Sequence, residues 1–133
     1  MMDEGKGKSV LIATILLSVV LAAGAQIVLK IGMERVTDVS GVFSPTSIDS
    51  LKSAAATPLV WLGLLLFGLS ALVWLAVLSR ASLSFAYPFA SLTYVIILFY
   101  GRFIADEPVS AARWGGVALI VAGILLVSQT STN

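Results

Sequence analysis

The sequence has no cysteine and no histidine, and charged residues make up only 11% of its 133 positions. The absence of cysteine excludes a disulfide framework, a thiol nucleophile and a c-type haem attachment. Without either residue type the chain lacks the usual ligands of zinc and soft metals, so we expect no cofactor. An ordinary soluble domain carries charge on roughly a quarter of its residues. This chain is therefore not a soluble globule, and its net charge of +1 provides no basic patch for nucleic acid.

The sequence is instead 59% hydrophobic, with a mean hydropathy of +1.04. Four long runs contain no charged residue, and each reaches the ~20 residues that cross a ~30 Å hydrocarbon core as a helix. The runs do not alternate apolar and polar residues, as the strands of membrane β-barrels do. The sequence predicts an all-α integral membrane protein with one domain over residues 1–133. The four transmembrane helices are expected at about 10–31, 58–78, 84–104 and 109–128.

Residues 21–35 allow two interpretations. A positively charged N-terminal segment precedes an apolar stretch, and the small residues 23–25 form a pattern at which secretory signals are cleaved. In the other interpretation the chain is not cleaved there, because the apolar stretch continues through residues 27–31 and reaches the length of a membrane span. We favour the uncleaved helix.

The basic residues divide between the two sides of the membrane if four helices alternate in direction. One side carries Lys6, Lys8 and Arg80 with the C-terminus, and the other carries Lys30, Arg35, Lys52, Arg102 and Arg113. This division gives only a weak bias under the positive-inside rule, so the sequence does not assign an orientation. A near balance also fits a chain that inserts in both directions and pairs antiparallel.

Residues 35–57 form the only sizeable polar segment of the sequence. Pro45 and Ser47 are typical of a helix start, and the apolar residues that follow them recur at helical spacing. This pattern indicates a short amphipathic helix at the membrane surface. A solvated connector is the alternative interpretation.

Polar residues recur every four positions in the first predicted span. Gln26 and Lys30 lie one turn apart on one helix face, and Glu34 follows at the same spacing. Lipid offers no hydrogen-bond partner to an amide, so this face should turn toward protein or toward a water-filled cavity. We interpret Gln26, Lys30 and Glu34 as substrate-binding residues. The alternative is that Gln26 bonds to a neighbouring helix and that Lys30 extends to the lipid head groups.

The third predicted span combines polar side chains with a proline. Tyr87, Ser91 and Tyr94 fall at i, i+4 and i+7 and so share a helix face. Pro88 removes one backbone donor and frees the carbonyl near Ser84. We predict that Tyr87, Ser91 and Tyr94 bind substrate in a polar cavity shared with the first span, and that Pro88 is a hinge. An interfacial aromatic belt is the alternative for Tyr87.

The fourth predicted span is rich in small residues. Small residues four positions apart let two helix backbones approach closely. We therefore predict that this helix packs at a subunit interface, through Gly115, Gly116, Ala118, Ala122 and Gly123.

The segment before this span contains two acidic residues and a proline. Asp106 and Glu107 precede Pro108 at the expected helix start, where acidic side chains suit the positive end of the helix dipole. We interpret these three residues as structural, and a role in binding substrate is the alternative.

Three segments resemble the drug/metabolite transporter superfamily in its four-helix form, which is related to small multidrug resistance proteins. The segments are AGAQIVLK at 23–30, SFAYPFASLTYV at 84–95 and ADEPVSAARWGGVALIVAGILL at 105–126. Within the superfamily the chain is most similar to aminoarabinose-phosphoundecaprenol flippase subunits. The shared motifs are Gln26 with Lys30, then Ala86-Tyr87-Pro88, then Glu107-Pro108-Val109-Ser110 with Arg113 and Gly116.

This resemblance implies a flippase that moves a lipid-linked sugar, of the polyprenyl-phosphate monosaccharide type, between membrane leaflets. It implies a multi-pass protein of the bacterial inner membrane that forms a homodimer, or a heterodimer with a similar small subunit. Its partners are then membrane lipid and the lipid-linked sugar, and not nucleic acid. We expect no enzyme activity, since the sequence shows no nucleophile with a base and no set of metal ligands.

Two other functions stay open at this point. Proton-coupled exporters of small cationic compounds resemble the chain in length, with Glu34 as the coupling acid. That family, however, depends on a membrane-embedded glutamate in its first helix, and residues 9–29 contain no carboxylate. The second alternative is a non-transporting helper subunit that packs against a larger membrane protein through the fourth span.

Overall fold

The computed structural model describes residues 2–40, 44 and 46–131, which form six helices and no strand. The helices are α1 (Met2–Ser40), α2 (Ile48–Ala55), α3 (Pro58–Leu78), α4 (Leu83–Ala90), α5 (Leu92–Phe103) and α6 (Ala111–Ser128). Four helical stretches are long and apolar enough to cross a membrane, and α4 and α5 together make the third of them. The prediction of an all-helical protein with four membrane-spanning helices is confirmed.

Helix α1 extends well beyond the predicted span of 10–31. Its 39 residues, at a rise of 1.5 Å per residue, give a length of roughly 58 Å, against ~30 Å of hydrocarbon. The polar end stays helical, and the Thr37 hydroxyl donates to the carbonyls of Met33 and Glu34 at 2.9 Å each. The connector that was expected from residue 35 therefore starts after Ser40.

Helices α1 and α3 run antiparallel, with their backbones in close contact. A Cβ atom on Gly63 would lie 2.6 Å from Cγ of Leu29 and 3.1 Å from its backbone nitrogen. A Cβ atom on Gly32 would lie 3.2 Å from the backbone nitrogen of Val60. Glycine at these two positions therefore permits the close approach of the helices.

The largest cluster of buried apolar side chains lies toward the end of the bundle where both termini meet. There the Lys8 ammonium donates to the Thr130 carbonyl at 3.0 Å. The cluster joins α1, α3, α4 and α6 through Leu11, Ile15, Val19, Val77, Phe85, Ala86, Phe89 and Ile124. A smaller cluster joins α5 to α6 through Val95, Leu98 and Val117. The main core therefore lies away from Gln26 and Lys30.

The third predicted span is interrupted between α4 and α5. Pro88 lies inside α4 and has no N–H group to donate to the Ser84 carbonyl one turn earlier. The Ser91 amide donates to the Pro88 carbonyl at 3.1 Å, which is a tighter i to i−3 bond. The chain resumes a helical course at Leu92. The interruption at Ser91 thus lies within one turn of the proline.

The connector between the first two spans contains α2. The Ser47 side chain caps α2 and accepts a hydrogen bond from the Ser50 amide at 3.4 Å. Ile48 and Leu51 are exposed, and the Trp61 indole donates to the Ala55 carbonyl at 2.6 Å. The expected helix start at Pro45 lies outside the described residues.

Candidate functional site

A cavity of about 350 Å³ lies between α1, α5 and the segment that follows α5. Its walls are Gln26, Ile27, Lys30, Ile97, Tyr100, Gly101 and Glu107. The cavity thus combines an amide, a phenol, a cation and an anion with apolar walls. Gln26 and Lys30 are both exposed, so this face of α1 is not sealed by packing.

The polar row along α1 divides into two parts with different environments. The Thr14 hydroxyl donates to the Val10 carbonyl of its own helix at 2.8 Å. The buried Ser18 hydroxyl donates to the Ser70 carbonyl of α3 at 3.0 Å, and Ser70 donates back to the Ser18 carbonyl at 2.9 Å. In contrast, the Gln26 amide has no hydrogen-bond partner in the described part of the chain. Gln26 therefore keeps its full capacity to bind a ligand.

Lys30 forms an ion pair with Glu34, which does not line the cavity. The Lys30 Nζ atom and the Glu34 Oε1 atom are 3.7 Å apart, and the two side chains are 64% and 61% exposed. An exposed pair at i, i+4 on a helix contributes only about 0.3–0.5 kcal/mol. Glu34 therefore holds Lys30 weakly, and an anion in the cavity can compete for the ammonium group.

The three polar residues of the third span are not brought together at this cavity. Tyr94 lines a second cavity of about 300 Å³, with Ile97 and Glu107 among its walls. Tyr87 is 61% exposed, and its ring lies edge-on to Trp74 of α3 with 6.0 Å between centroids. Ser91 lies at the break between α4 and α5. Tighter i to i−3 bonds, from the amides of Ser91 and Tyr94, lie between Tyr87 and Tyr94 and change the helical spacing locally.

Glu107 lines three cavities. It lines the first with Lys30, the second with Tyr94 and Arg113, and a third of about 500 Å³ with Arg113 again. Within the described ranges, the side chains of Glu107, Tyr100 and Arg113 form no hydrogen bond and no ion pair. An anion (Glu107), a cation (Arg113) and a phenol (Tyr100) therefore line these cavities without partners.

A turn after α5 directs Glu107 back onto that helix. Asp106 adopts a positive φ of 59°, a conformation that aspartate tolerates better than most residues. The Glu107 amide then donates to the Gly101 carbonyl at 2.7 Å. A Cβ atom on Gly101 would lie 2.7 Å from Oε2 of Glu107. The absence of a side chain at Gly101 leaves the space that the Glu107 carboxylate occupies.

The interpretation of residues 106–108 as the start of the fourth span needs correction. Helix α6 begins at Ala111, and the Ser110 hydroxyl caps it by accepting a hydrogen bond from the Arg113 amide at 3.3 Å. Glu107 lies outside the first turn because the turn at Asp106 sends the chain back toward α5. Sequence reasoning missed Tyr100 and Arg113 as cavity residues, and it favoured a structural role for Glu107. The available signal was the pairing of Glu107 and Arg113 in one motif.

The small residues of α6 form a face without a neighbour in the described chain. A Cβ atom on Gly115, Gly116 or Gly123 would meet no atom within 4 Å. Ala118 and Ala122 on the same helix are exposed. Close backbone packing inside one copy therefore occurs between α1 and α3, and not at this face.

Comparison with curated proteins finds relatives that share one name, probable 4-amino-4-deoxy-L-arabinose-phosphoundecaprenol flippase subunit ArnE. The relative from Pseudomonas aeruginosa (strain UCBPP-PA14) is 33% identical over 120 residues, which cover 90% of this chain and 98% of that protein. The relative from Pseudomonas fluorescens (strain Pf0-1) is 45% identical over 56% of this chain and 66% of that protein. The relative from Serratia proteamaculans (strain 568) is 50% identical over 51% and 61%. No family model and no solved structure matches the chain.

Proposed function

The chain belongs to the family of 4-amino-4-deoxy-L-arabinose-phosphoundecaprenol flippase subunits, and from this premise we propose that it moves a polyprenyl-phosphate monosaccharide between membrane leaflets. Its relatives are named as subunits of a transporter and not as enzymes. Four helices capable of crossing a membrane, together with bacterial relatives, make it a multi-pass protein of the bacterial inner membrane.

The observation that carries the proposed mechanism is the unpartnered Gln26 amide beside Lys30 in the 350 Å³ cavity. Gln26 hydrogen-bonds the sugar hydroxyls, and Lys30 lies near the phosphate as a point charge. Tyr94, on the neighbouring cavity, contacts the same head group. The polyprenyl tail stays in the bilayer, because exposing its apolar surface to water is unfavourable. The cavity therefore has to open sideways between helices.

The break between α4 and α5 supplies the movement in this mechanism. Tilting of α4 about Pro88 and Ser91 changes the width of the opening beside α5. Tyr87 and Ser91 lie on the moving part, and we propose that they contact the head group at another stage of the cycle. Glu34 competes with the phosphate for Lys30 and promotes its release.

The transporting unit contains two subunits in this proposal. Four helices leave the cavity open on one side, and a second copy or a similar small subunit would close it. The exposed small residues of α6 support such pairing, because lipid packs poorly into the groove that glycine leaves while a helix can enter it.

Reconstitution in vesicles tests the function and the site together. The purified chain, alone and with a second small subunit, is assayed for flipping of labelled aminoarabinose-phosphoundecaprenol. We expect Lys30→Ala to lower the rate more than tenfold, since it removes a charged contact worth about 1.5–3 kcal/mol. We expect Gln26→Ala to lower the rate several-fold, since a neutral hydrogen bond is worth about 0.5–1.5 kcal/mol. Thr14→Ala is the matched control, since Thr14 lies on the same row but bonds only to its own helix. Unchanged rates in both site variants would contradict the proposed binding site. An inactive wild type would contradict the proposed flippase function.

A further inference from the structure

Glu107 lines each of the three cavities described above, and its carboxylate has no partner in the described chain. Two cations lie beside the same cavities, Lys30 on one and Arg113 on the other two. Neither cation forms an ion pair with Glu107. Each of these cavities is therefore lined by the anion Glu107 and by one cation.

A structural role does not account for this arrangement. Glu107 does not cap α6, because Ser110 does so. The adjacent Asp106 already pairs with Arg102, at 3.8 Å between Oδ1 and Nη1, and its side chain is 96% exposed. Glu107 is exposed as well, but its carboxylate lies against the surface of Gly101, 2.7 Å from the position of an added Cβ atom. The backbone turn instead places Glu107 at the wall of the cavity that contains Gln26 and Lys30.

We propose that Glu107 recognises a primary ammonium group on the sugar while Lys30 holds the phosphate. The inference rests on the proposed function and adds the basis of head-group selection. An amino sugar attached to a phosphate carries one positive and one negative charge, which complement Glu107 and Lys30 respectively. A carboxylate that accepts hydrogen bonds from an ammonium group forms a charge-assisted contact that a neutral amide cannot form. The chain therefore selects lipids whose sugar amine is free over lipids in which it is acylated.

The test compares binding of two lipids to the purified full-length chain in detergent, by thermophoresis. The probes are aminoarabinose-phosphoundecaprenol and the same lipid with its amine acetylated. We expect wild type to bind the free amine about tenfold more tightly, the size of one charged hydrogen bond. Glu107→Gln should bind both lipids equally, because it weakens binding of the free amine alone. Glu107→Asp should restore part of the preference, and Asp106→Asn, the matched neighbour, should retain all of it.

Three results would overturn the inference. If the wild type bound the two lipids equally, the chain would not recognise the amine; this comparison needs no variant. A preference that survives in Glu107→Gln would assign the recognition to another group. Equal weakening of both lipids in Glu107→Gln would show a merely structural role. Failure of the proposed function is distinct, because wild type would then bind neither lipid, alone or with a second subunit.

Discussion

A Cβ atom added to Gly101 would lie 2.7 Å from the Oε2 atom of Glu107. This relationship joins the last turn of α5 to the segment before α6. It depends on the Glu107 amide, which donates to the Gly101 carbonyl at 2.7 Å. A helix position and a residue six places later thus form one wall of the cavity that contains Gln26 and Lys30.

Gly101→Ala should alter the site without weakening the fold. The added methyl group meets the far end of a flexible side chain, so Glu107 turns away at little energetic cost. Alanine also favours a helix over glycine by about 1 kcal/mol. We expect the melting temperature in detergent to be unchanged or higher, while the preference for the free-amine lipid falls. Loss of thermal stability together with unchanged selectivity would contradict this account.

Gly63→Ala should lower the free energy of unfolding by about 1–3 kcal/mol, because overpacking forces α1 and α3 apart. The new Cβ atom would lie 2.6 Å from Cγ of Leu29 and 3.1 Å from its backbone nitrogen, which cannot move aside. Gly68→Ala is the control, since no atom lies within 4 Å of its Cβ position. Unfolding of both variants in detergent gives the comparison. Equal stability would show that the helices do not pack through Gly63.

Pro88→Ala should raise stability and slow transport. Alanine restores the amide that the Ser84 carbonyl lacks, and a proline inside a helix costs ~3 kcal/mol. We expect a higher melting temperature and a flipping rate at least several-fold lower. Pro58→Ala is the control, because Pro58 occupies the first turn of α3, where its missing amide has no helical partner. A faster rate in Pro88→Ala would count against a hinge at this position.

A cysteine at Ala118 should cross-link two copies in membranes, or one copy to a second small subunit that carries a cysteine on its facing helix. The sequence has no native cysteine, so each introduced thiol is a unique reporter. A disulfide requires Cα atoms within about 7 Å, which only close packing of two α6 helices provides. Leu72→Cys on α3 is the control, since Leu72 is equally open, at 64% exposure. The dimer band after mild oxidation is the measurement. Cross-linking only at residue 72 would move the interface to α3.

Much of the candidate site depended on which helices become neighbours. Ser18 and Gln26 lie on one row of α1 and look equivalent in the sequence. The Ser18 hydroxyl donates a hydrogen bond to the Ser70 carbonyl of α3, whereas Gln26 lines the cavity. The small residues show the same ambiguity, because Gly63 packs tightly against α1 while the similar Gly116 meets no neighbour.

The sequence by itself determined that the chain crosses a membrane as four helices, that Pro88 weakens the third span and that Gln26 and Lys30 share a face. These are local properties, because lipid obliges each apolar segment to satisfy its own backbone hydrogen bonds as a helix. Only the tertiary structure decided that Glu107 and Lys30 line one cavity and that Tyr87 lies elsewhere. Those positions depend on a left-handed turn at Asp106 and on a break at Ser91. The turn at Asp106 changes the direction of the chain, and no periodicity in the sequence records that change.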